Sequence, residues 1–568
     1  MPLTKSDFEK ITFEALSVLR ENYDLSQAII IVSESLFMDA VSKDLIAEIG
    51  NTKELILNVQ QDLQIPEYKK IKNIIEAVLS KDEELTAQDY TIFIQRMFTS
   101  YHDSRRDGGC FTPDNLSKLV CNLLDVKGTD TIYDIGSGIG NFLLTADQIG
   151  TNHNGHPHLI GFEINQNFGI ISRILLTLQD ANFEIIHGNA LTDESNLKYT
   201  KAYAFSPFGV HYPSAVTEAI NWKFGDLFNS RSNSEWFFII QALSMLPTNG
   251  MAVALLPDSA LFRVTDRNIR KYLIEKKLLK GVISLPTRIW RSTGVKTSLV
   301  IFGPSDGNFK ALDATEMCHP DEHGHLNIVD DEAVFAAYNS SEVTTHTYSE
   351  VVENDYNLNM SMYMNEDVNK QIDCPTPISD IAKVIVGSQY TVSHFKKVFK
   401  DNSDYLLIAS SSIENGAIQY DTLQGIEPDA KLEKYELQEG DIVLTTKSTR
   451  VKTAVMNDPQ GKHYIVTGGM LIVRPDLKRV NPVYLKMFFD SEIGRTVLRS
   501  VQNGTTITTI STSLFNRLEV ACPSLEIQNK LANKYDTALS MYGVLKEQLD
   551  DVQAQLETMY DDSLKGDE

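Results

Sequence analysis

Cysteine is scarce in this chain. Five thiols (Cys110, Cys121, Cys318, Cys374 and Cys522) are scattered over 568 residues, and no two form a close CxxC pair. That spacing argues against a zinc site or a disulfide framework and suits reduced, mostly buried thiols. Positive charge is also short, with 52 Lys and Arg against 76 Asp and Glu and a net charge of −24. Nucleic acid is drawn to positive surface, so the balance counts against it. Net charge is an average, however, and a local basic stripe or a basic partner chain can still carry phosphate contacts. No apolar run reaches the roughly 18 residues of a membrane span. The nearest, QAIIIVSESLFM, is broken by Ser33 and Glu34. The N-terminus shows no basic-then-apolar signal sequence. The expected location is the cytoplasm, with no membrane partner.

What is present is ordinary globular composition, 42% hydrophobic and 23% charged. The length calls for two or three domains. Up to about residue 100, apolar residues recur at three- and four-residue steps, as in DFEKITFEALSVLREN and YKKIKNIIEAVLS, which predicts helices. From about 110 to 305 strands and helices alternate: TIYDI, HLIGFEI, FEIIHGN, KAYAF, MAVALLP, LKGVISLP and SLVIFGP with helical stretches between. This predicts an α/β fold with a mostly parallel sheet, whose ligands bind at the carboxyl ends of the strands. A polar, irregular stretch follows, then a strand-rich region from about 378 to 520. In the tail, Leu531, Tyr535, Leu539, Tyr542, Leu545, Leu549, Val552 and Leu556 repeat at steps of three and four, which predicts one long coiled-coil helix. The expected divisions are 1–100, 101–370, 371–522 and 523–568.

The stretch YDIGSGIGNFL sets Asp134 at a strand end before Gly136, Gly138 and Gly140. Glycines there allow a tight turn and close approach of backbone to a ligand. Glu163, in GFEIN at the next strand end, suits a pair of ribose hydroxyls. A dinucleotide loop has a similar outline, and a glycine-rich turn can also stand empty. The acid ahead of the glycines favours a ligand carrying an amino group and positive charge, S-adenosylmethionine, over a pyrophosphate.

Five stretches in order, GGCFTPDNLSKLVCNLL, GFEIN, MLPTNGMAVALLPDSALFR, VISLPTRIWRSTGVKTSLVIF and VENDYNLNMSMY, resemble the catalytic domain of type I restriction-modification DNA methyltransferase subunits. The resemblance covers residues 90–365. It implies a Rossmann-like methyltransferase sheet and methyl transfer from S-adenosylmethionine to adenine N6. It also implies that Phe111, Thr112 and Pro113 help hold the methionine end of that cofactor. Asn189, in HGNAL, stands where many S-adenosylmethionine enzymes set an Asp against its adenine, and its amide oxygen can still accept that bond.

Members of that family end the fourth strand in Asn-Pro-Pro-Phe or Asn-Pro-Pro-Tyr. The side-chain amide and a proline carbonyl accept hydrogen bonds from the exocyclic amine of a flipped base, which stabilises charge developing on nitrogen. Here the stretch is KAYAFSPFGVHY. An ungapped overlay sets Phe205 at the Asn position, then Ser206, Pro207, Phe208 and Gly209. A one-residue shift sets Ser206 first, as in Ser-Pro-Pro-Tyr enzymes, with Phe208 in place of a proline. Phenylalanine accepts no such bond, and losing one acceptor costs on the order of 10²–10³ in rate. Two readings stay open: an adenine methyltransferase, or a catalytically impaired scaffold that lends DNA recognition to an active partner.

The C-terminal half, with ISDIAKVIVGSQY, LQEGDIVLTTKST and the stretch running from NGTTITTISTSLFNRLEV to the tail, resembles one target-recognition domain and following helix of type I specificity subunits over residues 378–560. The resemblance implies double-stranded DNA as partner. Lys396, Lys397, Lys400, Lys447, Arg450 and Lys452 are candidate phosphate contacts, or a solvated basic face. It also implies a homodimer through the terminal helix. No stretch reads as a nuclease or helicase, so restriction calls for a separate subunit.

Overall fold

The computed structural model describes residues 5–47, 51–80, 85–101, 111–153, 155–193, 196–225, 227–228, 234–290, 293–322, 324–363, 372–388, 398–427, 431–446, 451–457, 461–503, 509–510 and 512–565. It forms two compact units, 1–360 and 361–568.

The first unit opens with five helices: α1 (Lys5–Leu19), α2 (Leu25–Ser42), α3 (Asn51–Asp62), α4 (Tyr68–Leu79) and α5 (Ala87–Tyr101). Asp24 starts α2 with a capping box to Gln27, which satisfies two otherwise orphaned donors. By length and composition α2 could cross a membrane. Its Ile29, Val32, Leu36 and Phe37 are instead fully buried, in an apolar core continuous with that of the sheet.

The sheet has nine strands: β1 (Thr131–Asp134), β2 (His158–Glu163), β3 (Phe183–His187), β4 (Lys201–Phe205), β5 (Met251–Pro257), β6 (Leu279–Ser284), β7 (Thr297–Phe302), β8 (Asn308–Asp313) and β9 (Thr344–Thr347). Their order is β9-β8-β6-β7-β5-β4-β1-β2-β3. Strands β1 to β5 pair in parallel, as do β6 and β8. β7 runs antiparallel between β5 and β6, and β9 antiparallel to β8. The near-continuous apolar run of β5 follows from burial on both faces. Chain order reverses at β1, which has β2 on one side and β4 on the other. In such sheets that switch point opens a crevice at the carboxyl edge.

Helices α6 (Asp114–Leu124), α7 (Asn141–Thr151), α8 (Gln166–Leu178), α9 (Ser234–Ser244) and α10 (Arg267–Glu275) flank these strands in sequence. Two arginines of α10 fasten the last segment of the unit. Arg270, almost fully buried, donates to the carbonyls of Tyr356 at 2.6 Å, Ala260 at 3.0 Å and Arg263 at 2.9 Å. Arg267 bonds Asp355 at 2.6 Å and lies 4.8 Å from the Tyr356 ring centre. The Leu358 amide completes the clasp on the Leu261 carbonyl.

In the second unit, Ala382–Val386, Met470–Pro475, Ile442–Thr445 and Thr453–Val455 form an antiparallel sheet in that order. Tyr405–Ile408 lies between Gln424–Gly425 and His463–Val466 in another. Asp441, 1% exposed, takes both guanidinium arms of Arg474, at 2.9 Å and 2.7 Å. Helix α11 (Leu525–Lys565) runs for 41 residues, roughly 60 Å at 1.5 Å per residue. Its early turns dock through Tyr535, which bonds Asp490 and Lys486. Further on, Met541, Tyr542, Leu545, Leu549 and Val552 are each more than half exposed.

Candidate functional site

The glycine turn links β1 to α7. Gly138 has φ +53° and Gly140 φ +85°, both left-handed, which glycine adopts without steric cost. A Cβ on Gly140 would lie 2.5 Å from Ser172 Oγ, and one on Gly138 would meet the Phe111 ring at 3.4 Å. The Gly138 amide donates to Glu163 Oε2 at 2.8 Å, and the Asn165 amide to Oε1 at 2.7 Å. The Gly136 amide donates to Asp134 Oδ1 at 3.3 Å. The strand-end acids thus face one turn from β1 and β2.

Burial disfavours the ionised form of both. It pushes Asp134 up to about 7, opposed by the Gly136 amide and reinforced by Glu163. Glu163 is raised by the same desolvation, against the amides of Asn165, Gly138 and Ile164 and nearby His187.

Phe111, Thr112 and Pro113 form an arm beside this turn. The Phe111 ring meets Phe98 and Phe168 edge-on, with centres 5.8 Å and 5.4 Å apart. Thr112 shares a 3.1 Å hydroxyl bond with Tyr203 of β4, and its carbonyl accepts from Asn141 Nδ2 at 3.3 Å. Pro113 precedes α6 in an extended conformation. Asn189 follows β3. Its Oδ1 accepts from the Leu191 amide at 3.0 Å, and its own amide donates to Asp193 Oδ2 at 2.8 Å. Its side-chain oxygen thus closes a local turn and keeps one lone pair.

β4 ends at Phe205, beside β1. The Phe205 carbonyl would lie 3.4 Å from a Cβ on Gly136, so the strand end approaches the glycine turn closely. The Phe205 ring lies 5.5 Å from both Phe208 and Trp290. Ser206 is 3% exposed, and its Oγ has no hydrogen-bond partner among the described residues. Pro207 continues the turn, and the Gly209 amide donates to Glu235 Oε1 at 2.9 Å. Glu235, at the start of α9, is fully buried, and its Oε2 faces Arg263 at 3.8 Å. Arg263 in turn bonds Asp266 at 3.0 Å.

Sequence reading singled out neither Glu235 nor Trp290. Glu235 carries a faint signal, an acid in the first turn of an otherwise apolar helix. Of the basic candidates, Lys396, Lys397, Lys447 and Arg450 lie outside the described residues. Lys452 donates to the Ile413 carbonyl at 3.0 Å, and Lys400 faces Glu427 at 4.0 Å.

A sequence profile of the N-6 DNA methylases matches residues 81–371, more than half of the chain. The chain belongs to that family. This N-6 DNA methylase is similar to the type I restriction enzyme MpnII methylase subunit of Mycoplasma pneumoniae, at 23% identity over 370 residues, 57% of this chain and 68% of that one. It is also similar to the StySPI specificity subunit of Salmonella potsdam, at 28% identity over 181 residues, 31% of this chain and 38% of that one. Among its methylase relatives the match spans from 40% to 68% of their length. The type I methyltransferase subunit from Streptococcus thermophilus shares its fold, with a TM-score of 0.50 and 18% identity over 63% of this chain and 98% of that one. Fold and family make S-adenosylmethionine the cofactor of the methylase. Its residues fit that group. A cationic ammonium beside Asp134 would offset the desolvation that raises its pKa, and the missing Cβ atoms of Gly136 and Gly138 leave backbone open to a close ligand.

Proposed function

We propose that the protein transfers a methyl group from S-adenosylmethionine to adenine N6 within a specific duplex DNA sequence. It acts as the fused modification and specificity component of a cytoplasmic restriction-modification or phage-defence system. The observation that carries this reading is the convergence of Asp134, Glu163, the glycine turn and the Phe111–Pro113 arm beside the turn that ends β4. S-adenosylmethionine supplies an electrophilic methyl group on a sulfonium centre. Asp134 pairs with its ammonium end. Each oxygen of Glu163 holds one backbone amide and retains a lone pair for a ribose hydroxyl. Phe208 stacks on a flipped base. Ser206 Oγ and the backbone carbonyls of the Phe205–Pro207 turn accept hydrogen bonds from the exocyclic amine as positive charge grows on it.

Residues 371–522 read the DNA sequence and grip phosphates, with Lys396, Lys397, Lys447, Arg450 and Lys452 as contacts, and residues 523–568 pair with the same helix of a second copy. The exposed stripe from Met541 to Val552 supports that pairing, since buried apolar seams hold coiled coils together. A homodimer would read a bipartite, palindromic site, and a separate subunit would cut. Residues 1–100 form a helical module ahead of the methylase portion.

A second reading rests on Phe205, which offers no side-chain acceptor and is packed against Phe208 and Trp290. On that reading the chain lends DNA recognition to an active partner methylase. Single-molecule sequencing of DNA from a methylation-deficient host expressing the chain alone tests the choice. The expected result is modified adenine at one bipartite motif. Unmodified DNA, with soluble protein that binds the cofactor, would refute autonomous catalysis and favour the scaffold.

A further inference from the structure

Trp290 joins two parts of the site that no other single side chain is seen to join among the described residues. Its indole N–H donates to the Phe111 carbonyl at 2.9 Å. Its ring centre lies 5.5 Å from that of Phe205 and 6.3 Å from that of Phe208, nearly perpendicular to the latter. The side chain is 9% exposed, so water competes poorly for its N–H. Phe111 lies over Gly138 of the glycine turn. Phe205 and Phe208 belong to the turn that ends β4. Asn141 and Tyr203 also hold the 111–113 arm, while Trp290 extends from it to both phenylalanine rings.

We propose that Trp290 is a positioning residue that couples occupation of the cofactor site to the geometry of the base-binding turn. The inference rests on the methyltransferase reading above. With Phe111 fixed against bound cofactor, the indole is anchored at its N–H. Its ring then fixes Phe205, whose carbonyl borders Gly136, and Phe208, which faces the base. Linkage makes the effect mutual: disturbing the turn weakens the cofactor by as much as cofactor binding orders the turn.

The test uses the full chain and S-adenosylmethionine, with affinity read by calorimetry. Trp290→Phe keeps an aromatic ring but removes the N–H donor. It is expected to weaken the cofactor roughly five- to tenfold, the size of one neutral buried hydrogen bond. Phe208→Ala, on the far side of the indole, is expected to weaken it about threefold in the wild-type background and not at all alongside Trp290→Phe, a departure from additivity that reports coupling. Additive effects, or a Phe208→Ala protein with wild-type affinity, overturn the proposal. A wild-type chain that binds no cofactor overturns the methyltransferase reading itself, and the coupling with it.

Should Trp290→Phe fail to fold, tryptophan emission decides. The chain has three tryptophans, Trp222, Trp236 and Trp290. A cofactor-induced emission change that Phe208→Leu cuts at least twofold supports the coupling. An amplitude left unchanged by Phe208→Leu overturns it.

Discussion

Asp134→Asn is expected to stabilise the cofactor-free protein while weakening its ligand. Asp134 is 3% exposed, and burial raises its pKa from 3.8 to about 7. The native protein therefore holds this proton between about pH 4 and pH 7, where the unfolded chain has released it. Stability linked to the group is fully present below the unfolded pKa and is lost as pH rises through the folded one. A shift of roughly three units corresponds to about 4 kcal/mol at 1.36 kcal/mol per unit, an upper bound on the cost of the ionised carboxylate at pH 8. The amide carries no charge and escapes most of that cost. Calorimetric melting of both proteins from pH 5 to pH 8, without ligand, should show the mutant's advantage widening as pH rises. Cofactor titration should show the reverse. Wild-type binding releases a proton near pH 6, visible in buffers of different ionisation enthalpy, whereas Asp134→Asn releases none and binds at least tenfold more weakly, the loss of one charge-assisted contact. A melting difference that is flat with pH, or a mutant less stable at pH 8, would refute the reasoning.

Three further outcomes follow from local geometry. Gly140→Ala places a Cβ 2.5 Å from Ser172 Oγ at a φ of +85°, and should cost about 2–3 kcal/mol in urea unfolding; adding Ser172→Ala should recover the steric part only. Asp441→Ala removes the carboxylate partner of Arg474, which keeps only the Glu436 carbonyl among the described contacts, and should destabilise the second unit by about 2 kcal/mol, read as a lower-melting transition in the full chain. Leu545→Lys with Leu549→Lys, both on the exposed stripe of α11, should turn a dimer into a monomer by light scattering and leave cofactor affinity unchanged; wild-type protein that is already monomeric would remove the dimer from the proposal.

Much of the fold is readable from the chain. Strand and helix alternation announces the sheet because each β-α step is local, and the glycines at 138 and 140 announce their turn because left-handed φ is a property of the residue itself. Sheet order is less legible. SLVIFGP reads as a strand, but its insertion antiparallel between β5 and β6 depends on pairing that no short window contains. The same holds for two site contacts. Glu235 supports a backbone amide 26 positions earlier, and Trp290 meets a carbonyl 179 positions earlier. Each looks locally like one more core residue. Asn189 adds a local detail that sequence reading missed: its oxygen also takes the Leu191 amide, a short-range bond that Asn forms readily in turns, and keeps one lone pair for a ligand.

The arginine clasp of α10 has a consequence for inheritance. It secures residues 355–358 by backbone and ring contacts that lie wholly within the first unit, and that unit ends two residues later, at Met360. A recombination crossover just beyond the clasp would leave every one of these contacts intact. The joint is therefore a place where one lineage could exchange its second unit for another's while keeping the first; if the second unit reads DNA as proposed, new specificity would come by splicing genes and not by reworking a core.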